Sequence, residues 1–318
     1  MSVAPDHDPE CLSGTDAIDL VIEGRPHGVG SLTVARLLPS PRRRMIGPFT
    51  FVDHMGPVVI APGVGFDVRP HPHIGLSTVT YFFEGENVHR DSLGTVQTIR
   101  PGDVNLMTAG RGVVHSERAD PAWRERGGLV HGVQIWLALP VENEDDPPSF
   151  EHHPAAALPQ VAPAAGVRGR VIAGEAFGAR APLRHPGRPL LVDLSLDAGA
   201  CLELRPEARD GRDGPDLGDV EERGVLVVAG AIELSGQALP ADRLAALRPG
   251  AAAGLRATEP SRVMLLGGPA MGARFLDWNF VASTRERIDR ARDAWKAQAF
   301  PTIPGDDQEF IPYPELHR

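Results

Sequence analysis

Cysteine is nearly absent from this chain: Cys11 and Cys201 are the two in 318 residues, far apart and outside any CxxC spacing. That spacing suggests neither a disulfide framework nor a thiolate metal site. Long apolar runs are missing too, and none approaches the roughly 20 residues of a membrane-spanning helix. The opening Met1-Ser2-Val3-Ala4-Pro5-Asp6 has neither the basic start nor the apolar core of a signal peptide, so the cytoplasm is the expected compartment. There is no basic footprint either. Net charge is −10, and Arg42-Arg43-Arg44 is a short cluster that reads as a solvated loop. Direct nucleic-acid binding is therefore not expected.

Glycine and proline are plentiful instead, 35 and 31 residues, and they punctuate the whole chain. Hydrophobic content of 42% with 23% charge describes a globular protein long enough for two domains. Short β-branched and aromatic runs between turn residues predict an all-β fold. Ile18 to Val34 reads as a strand pair, followed by strands at Phe49–His54, Ser77–Phe83 and Val130–Leu139. A second strand-rich block from Val167 to Gly268 has its clearest strands at Leu190–Leu196, Val225–Val228 and Val263–Leu266.

The expected organisation is a loose terminus over 1–16, a first domain over 17–140, a linker over 141–165 and a second domain over 166–318. The linker is acidic, then rich in alanine and proline. A helix over 284–299 is expected from the capping-box spacing Ser283-x-x-Glu286 and from Ile288, Ala291, Trp295 and Ala299 at helical intervals. Phe300-Pro301 ends it, and Phe310-Ile311-Pro312-Tyr313-Pro314 is apolar enough to pack as an extended arm. A weak internal repeat joins the two blocks: Phe82–Gly85 precedes Arg100-Pro101-Gly102 much as Val227–Gly230 precedes Arg248-Pro249-Gly250. It suggests a duplicated β unit.

The sharpest local feature is His71-Pro72-His73. Residues i and i+2 of a strand share a face, so both imidazoles can meet one ion. His115-Ser116-Glu117 has the same spacing and follows the glycine-rich Thr108-Ala109-Gly110-Arg111-Gly112. Two such pairs on neighbouring strands bring three nitrogens and one oxygen to a point. Such a donor set suits Fe(II), Mn, Co, Ni, Cu or Zn and leaves positions open for water, substrate or dioxygen. Other side chains have blander readings: His89 as a turn residue or one at a pocket mouth, His54 at the surface or behind a ligand, His152-His153 in solvent, Met107 and Phe51 in a core. Gln134 and Trp136 share a strand face opposite His131, and either face can be the inner one.

Gly65-x5-His71-Pro72-His73, Glu84-Gly85, Arg100-Pro101-Gly102-Asp103 and Met107 to Glu117 together closely resemble the pirin family of the cupin superfamily, as does Val130 to Trp136. The likeness is dense from Pro48 to Leu139 and returns at Trp278–Val281 and Ile303–Asp307. It implies two tandem cupin (RmlC-like) jelly-roll β-barrels with a short C-terminal helix. It also implies one metal ion, iron or similar, on His71, His73, His115 and Glu117. Ser77 stands where the general cupin pattern has a glutamate, so Glu117 supplies the acid. The second barrel offers Asp210, Asp213, Asp216 and Asp219 but no histidine, and reads as metal-free, with a calcium loop as the alternative.

Two functions follow from the resemblance. One is a metal-dependent dioxygenase that cleaves flavonols such as quercetin, with Glu117 as ligand or general base and Phe51, Tyr81 or Phe83 against a small aromatic substrate. The other is a redox-responsive regulator that acts through a protein partner, a transcription factor or metabolic enzyme. A monomer is expected.

Overall fold

The computed structural model describes residues 11, 16–205, 217 and 220–315. The four aspartates of the acidic loop lie outside the described residues, as does most of the 1–16 terminus. The chain forms two compact units. One comprises Gly24–Ala157, His185–Gly187 and Ala270–Arg318; the other comprises Met1–Glu23, Leu158–Arg184 and Arg188–Pro269.

Each unit is a jelly roll of a seven-stranded and a four-stranded antiparallel sheet. In the first, the large sheet runs Ser149–His153, Val104–Thr108, Leu76–Glu84, Gly128–Ala138, Phe49–Ile60, Leu32–Leu38, Arg25–Val29. Its small sheet runs Val68–His73, Val113–Arg118, Asn87–Asp91, Val96–Ile99. The second unit repeats this order except at one edge of the large sheet, where the chain's opening strand takes the place that Ser149–His153 has in the first. Its large sheet runs Ile18–Glu23, Arg243–Leu247, Glu222–Ala229, Ser261–Gly268, Leu190–Leu196, Val167–Ala173, Gln160–Ala164. Its small sheet runs Cys201–Leu204, Ala253–Ala257, Ala231–Leu234, Gln237–Pro240. Valine, leucine and alanine fill the interior of the second unit, as pleated surfaces with one or two buried faces require.

Several boundaries differ from the sequence reading. Ile18–Glu23 pairs with Arg243–Leu247, so this opening strand belongs to the second unit. The 141–165 stretch is no bare linker. Ser149–His153 adds an edge strand to Val104–Thr108, and Gln160–Ala164 pairs with Val167–Ala173. The C-terminal helix and arm fold with the first unit, not with the block that precedes them in sequence. Backbone pairing across the sheet fixed these assignments, and local composition carries no trace of it. The two cysteines are also close in space, joined as a disulfide with Cα atoms 6.0 Å apart. Cys201 opens a strand of the very unit that the N-terminal residues join, so a long sequence separation hid a short spatial one.

The helix spans Arg285–Lys296 and follows Thr284; it is shorter than 284–299. Ser283 does not cap it. Its N–H and hydroxyl both donate to the buried carboxylate of Glu144, which Arg287 also meets at 3.0 Å. Ile288, Ala291 and Trp295 face a cluster with Ile74, Val114 and Phe280, as the periodicity predicts, while Ala299 lies beyond the helix and is exposed. A six-residue helix at Pro121–Arg126 had no clear sequence signal beyond Asp120, whose Oδ1 accepts from the N–H groups of Ala122 and Trp123. Among the described residues no helix is long and apolar enough to cross a membrane.

One glycine holds the C-terminal return in place. Gly75 has φ +66°, and a Cβ there would lie 2.0 Å from the carbonyl oxygen of Val281. Its N–H donates to Gly110 O and its carbonyl accepts from Leu139 N–H. Gly75→Ala is expected to destabilise the protein by about 2–4 kcal/mol, because the strain and the clash are both with backbone. Thermal melting of the metal-free protein checks this, and an unchanged midpoint refutes it.

Candidate metal centre

Val68–His73 is the edge strand of the small sheet, which accommodates Pro72 without wasting a ladder hydrogen bond. It pairs antiparallel with Val113–Arg118 and sets His71 directly opposite His115, and His73 opposite Val113. The i, i+2 pleat then aims His71 and His73 at the same side as His115. Ring centroids are 4.3 Å apart for His71–His115 and 5.0 Å for His73–His115. All three imidazoles are buried, and one ring nitrogen from each lies within 4.8 Å of the others.

Hydrogen bonding behind the rings decides which nitrogen faces inward. His71 Nδ1 donates to Arg69 O at 2.8 Å, and His73 Nδ1 donates to Asn279 O at 3.0 Å. A carbonyl can only accept, so each Nδ1 carries the proton and each Nε2 presents a lone pair. His115 Nδ1 faces His89 Nδ1 at 3.4 Å, and His89 Nε2 meets Asp91 Oδ2 at 2.9 Å. Asp91 Oδ2 accepts from His89 Nε2–H, which in the neutral ring leaves His89 Nδ1 as the acceptor for His115. The Nε2 atoms of His73 and His115 therefore face each other as lone pairs, 3.1 Å apart. Two acceptors at that separation need a cation between or beside them. Burial pushes the His71 imidazole down to about 4, and burial with neighbouring histidines holds His73 and His115 well below the usual range. A proton is disfavoured as that cation. A borderline transition-metal ion fits the donor set.

Glu117 lines the same cavity, its Oε1 4.0 Å from His115 Nδ1, but it stands outside the tight trio. A register shift between His115 and Glu117 carries it away from the strict i, i+2 position. Burial raises its carboxyl to about 7.

The trio opens into a cavity of about 440 Å³ between the two sheets of this unit. Trp136 stands edge-on to His73 at 5.1 Å and stacks on Phe51 at 4.0 Å. Gln134 and Trp136 face the cavity and His131 the other side, where its Nε2 meets the buried His54 at 2.9 Å. Of the three aromatics expected at a substrate pocket, Phe51 lines it. Tyr81 and Phe83 alternate to the opposite face and pack on each other at 5.5 Å. Met107 is buried with Ala109 and Val113, as expected of a core residue.

His89 is not a turn residue. It is buried on a strand beside Val113–Arg118 and stacks on Phe150. Nor is His152 simply in solvent, since it bonds Asn105. The apolar C-terminal arm is held as expected: Ile311 N–H donates to Pro70 O, and Ile311 lines the cavity.

Two outcomes are expected. Because the lowered His71 pKa keeps its imidazole neutral as pH falls from 6.5 to about 4, bound metal should survive desalting at pH 5.5 and be lost near pH 4. Metal analysis after gel filtration checks this, and loss at pH 6 refutes it. His89→Ala should lower metal affinity by roughly 10–100-fold, by releasing the His115 ring, without changing the ligand set. Competition with a chelator measures it.

Comparison with known proteins agrees with this geometry. Residues 31–137 match the model of the Pirin family, and residues 192–301 match that of the Pirin C-terminal cupin domain. A pirin-like protein of Caulobacter vibrioides is 44% identical over 300 residues, covering 94% of this chain and all of that one. A putative quercetin 2,3-dioxygenase of Pseudomonas aeruginosa is 42% identical, over 84% of this chain and 80% of its own. Among solved structures, quercetin 2,3-dioxygenase from Acinetobacter baumannii superposes with a TM-score of 0.83 at 34% identity, over 93% of this chain and 95% of that one. With two cupin domains in the expected order and a cluster of three histidines in the first, the chain belongs to the pirin family.

Proposed function

We propose that this protein is a metal-dependent dioxygenase that opens flavonols of the quercetin type. One observation carries the reading: a buried three-imidazole donor set faces a cavity that has a stacked aromatic wall and a buried carboxylate. The relatives named for quercetin cleavage support it. His71, His73 and His115 would hold the ion, iron or a similar transition metal, with Glu117 as fourth ligand or as base. When bound, the ion supplies Lewis-acid polarisation of the substrate oxygens and access to dioxygen chemistry.

The remaining work falls to the chain itself. Trp136, backed by Phe51, presents an aromatic wall that orients the flat ring system. Apolar walls including Met55, Phe66 and Phe82 exclude water from the ring. A carboxyl raised to about 7 is matched to taking a proton near neutral pH, so Glu117 takes the proton of the flavonol hydroxyl on a carboxylate oxygen.

Protein loaded in turn with Fe(II), Mn(II), Co(II) or Ni(II) is expected to consume oxygen with quercetin, followed with an oxygen electrode. Glu117→Gln should lower kcat by roughly 10²–10⁴-fold. No uptake with any loaded metal refutes the reaction; full activity in Glu117→Gln refutes the base.

A further inference from the structure

Six neighbouring strands of the large sheet each place one polar residue in a single transverse row. Arg36 stands opposite Asp53, Asp53 opposite Gln134, Gln134 opposite Thr80, Thr80 opposite Asn105, and Asn105 opposite His152. All but His152 line the cavity. Two residues along the strands on the metal side lie Phe51 and Trp136; two residues the other way lie Val34, Met55 and Phe82. A polar band thus interrupts an otherwise apolar lining. The fold does not need it, since a core position in a buried sheet is satisfied by valine or isoleucine.

The pairing within the row is lopsided. Arg36 gives Nε and Nη2 to the two Asp53 oxygens at 2.8 and 2.7 Å. Thr80 Oγ1 donates to Gln134 Oε1 at 2.9 Å, and His152 Nδ1 donates to Asn105 Oδ1 at 2.7 Å. Both side-chain carbonyl oxygens are taken, while the Asn105 amide nitrogen is left over. Asn105 Nδ2 is buried and has no hydrogen-bond partner among the described residues, although Asn105 is only 3% exposed and lines the cavity. A buried donor with nothing to donate to is costly and is retained where something else accepts from it.

We infer that Asn105, two strands along the row from Gln134, is the specificity-determining edge of the cavity, donating a hydrogen bond to an oxygen that a planar ligand carries away from its metal-binding end. The row lies one i to i+2 strand step, roughly 7 Å, from the Trp136 row. Because Asp53 already neutralises Arg36, the row selects neutral hydroxyl or keto oxygens rather than a carboxylate. The ligand class is a polyhydroxylated aromatic with oxygens on both ends. This deepens the flavonol reading and rests on it for the identity of the ring system alone.

The test uses calorimetry on Ni(II)-loaded protein under nitrogen, with quercetin and with 3-hydroxyflavone. Both compounds keep the hydroxyl–carbonyl pair that a metal binds, but only quercetin has further hydroxyls. Asn105→Leu is expected to weaken quercetin by roughly tenfold and leave 3-hydroxyflavone within about twofold. Asn105→Asp, which exchanges the donor for an acceptor, should weaken quercetin as well. Unchanged quercetin affinity in Asn105→Leu overturns the assignment, and so does an equal loss for both compounds. Melting of the ligand-free proteins is the second readout. Asn105→Leu should melt no lower than His152→Leu, because both lose the His152–Asn105 hydrogen bond and only Asn105→Leu also removes an unpaired buried amide; a clearly lower midpoint makes the residue structural and overturns the inference. If the wild type binds neither compound, the flavonol reading fails, and the melting comparison alone decides the role of Asn105.

Discussion

Two imidazole nitrogens with lone pairs facing each other across 3.1 Å, on rings buried in the protein, repel unless a positive charge sits with them. Much of the first unit can be understood as the apparatus that sustains this arrangement. Pro72 at a sheet edge, the in-register pairing of His71 with His115, and the carbonyls of Arg69 and Asn279 each fix one degree of freedom of a ring. The Asp91–His89 pair does the same for His115 from behind. A metal ion entering such a site meets donors already oriented and dehydrated, so little of its binding free energy is spent on ordering them.

The duplication of the fold was legible in the sequence, though not for the reason its residues suggested. Both small sheets have the same strand order, and the large ones differ only in the origin of one edge strand. The two Arg-Pro-Gly turns that hinted at the repeat occupy different places, however. One leads into the large-sheet strand Val104–Thr108; the other leaves the large-sheet strand Arg243–Leu247. The match was a similarity of turn chemistry, since tight turns draw on few residue types. What the units share is topology, which registers in sequence only as spacing between strands.

Within the site, what lies along one strand was readable and what lies across strands was not. The HxH and HxE pairs are local, and the pleat alone decides where they point. His89, Asn105 and Asn279 come from other strands or from the far end of the chain, and only pairing register brings them in. The inward face of Gly128–Ala138 was ambiguous for a related reason. Both of its faces are buried, so hydrophobic alternation, the usual guide, is erased. Tyr81 and Phe83 were assigned to the pocket by their chemistry, and the same period of two that places Thr80 inside places them outside.

The carbonyl that orients His73 belongs to Asn279, more than 200 residues downstream, and the segment around it closes over Gly75. On a ribosome, all three histidines emerge long before that segment is made. The nascent first unit has the three histidines but not the carbonyl that orients His73. The finished second half of the chain must be synthesised before the centre acquires its final shape. A metal captured earlier would be held by looser rings, open to exchange. A chain cut short after its second unit would keep the three histidines and lose the carbonyl that orients one of them.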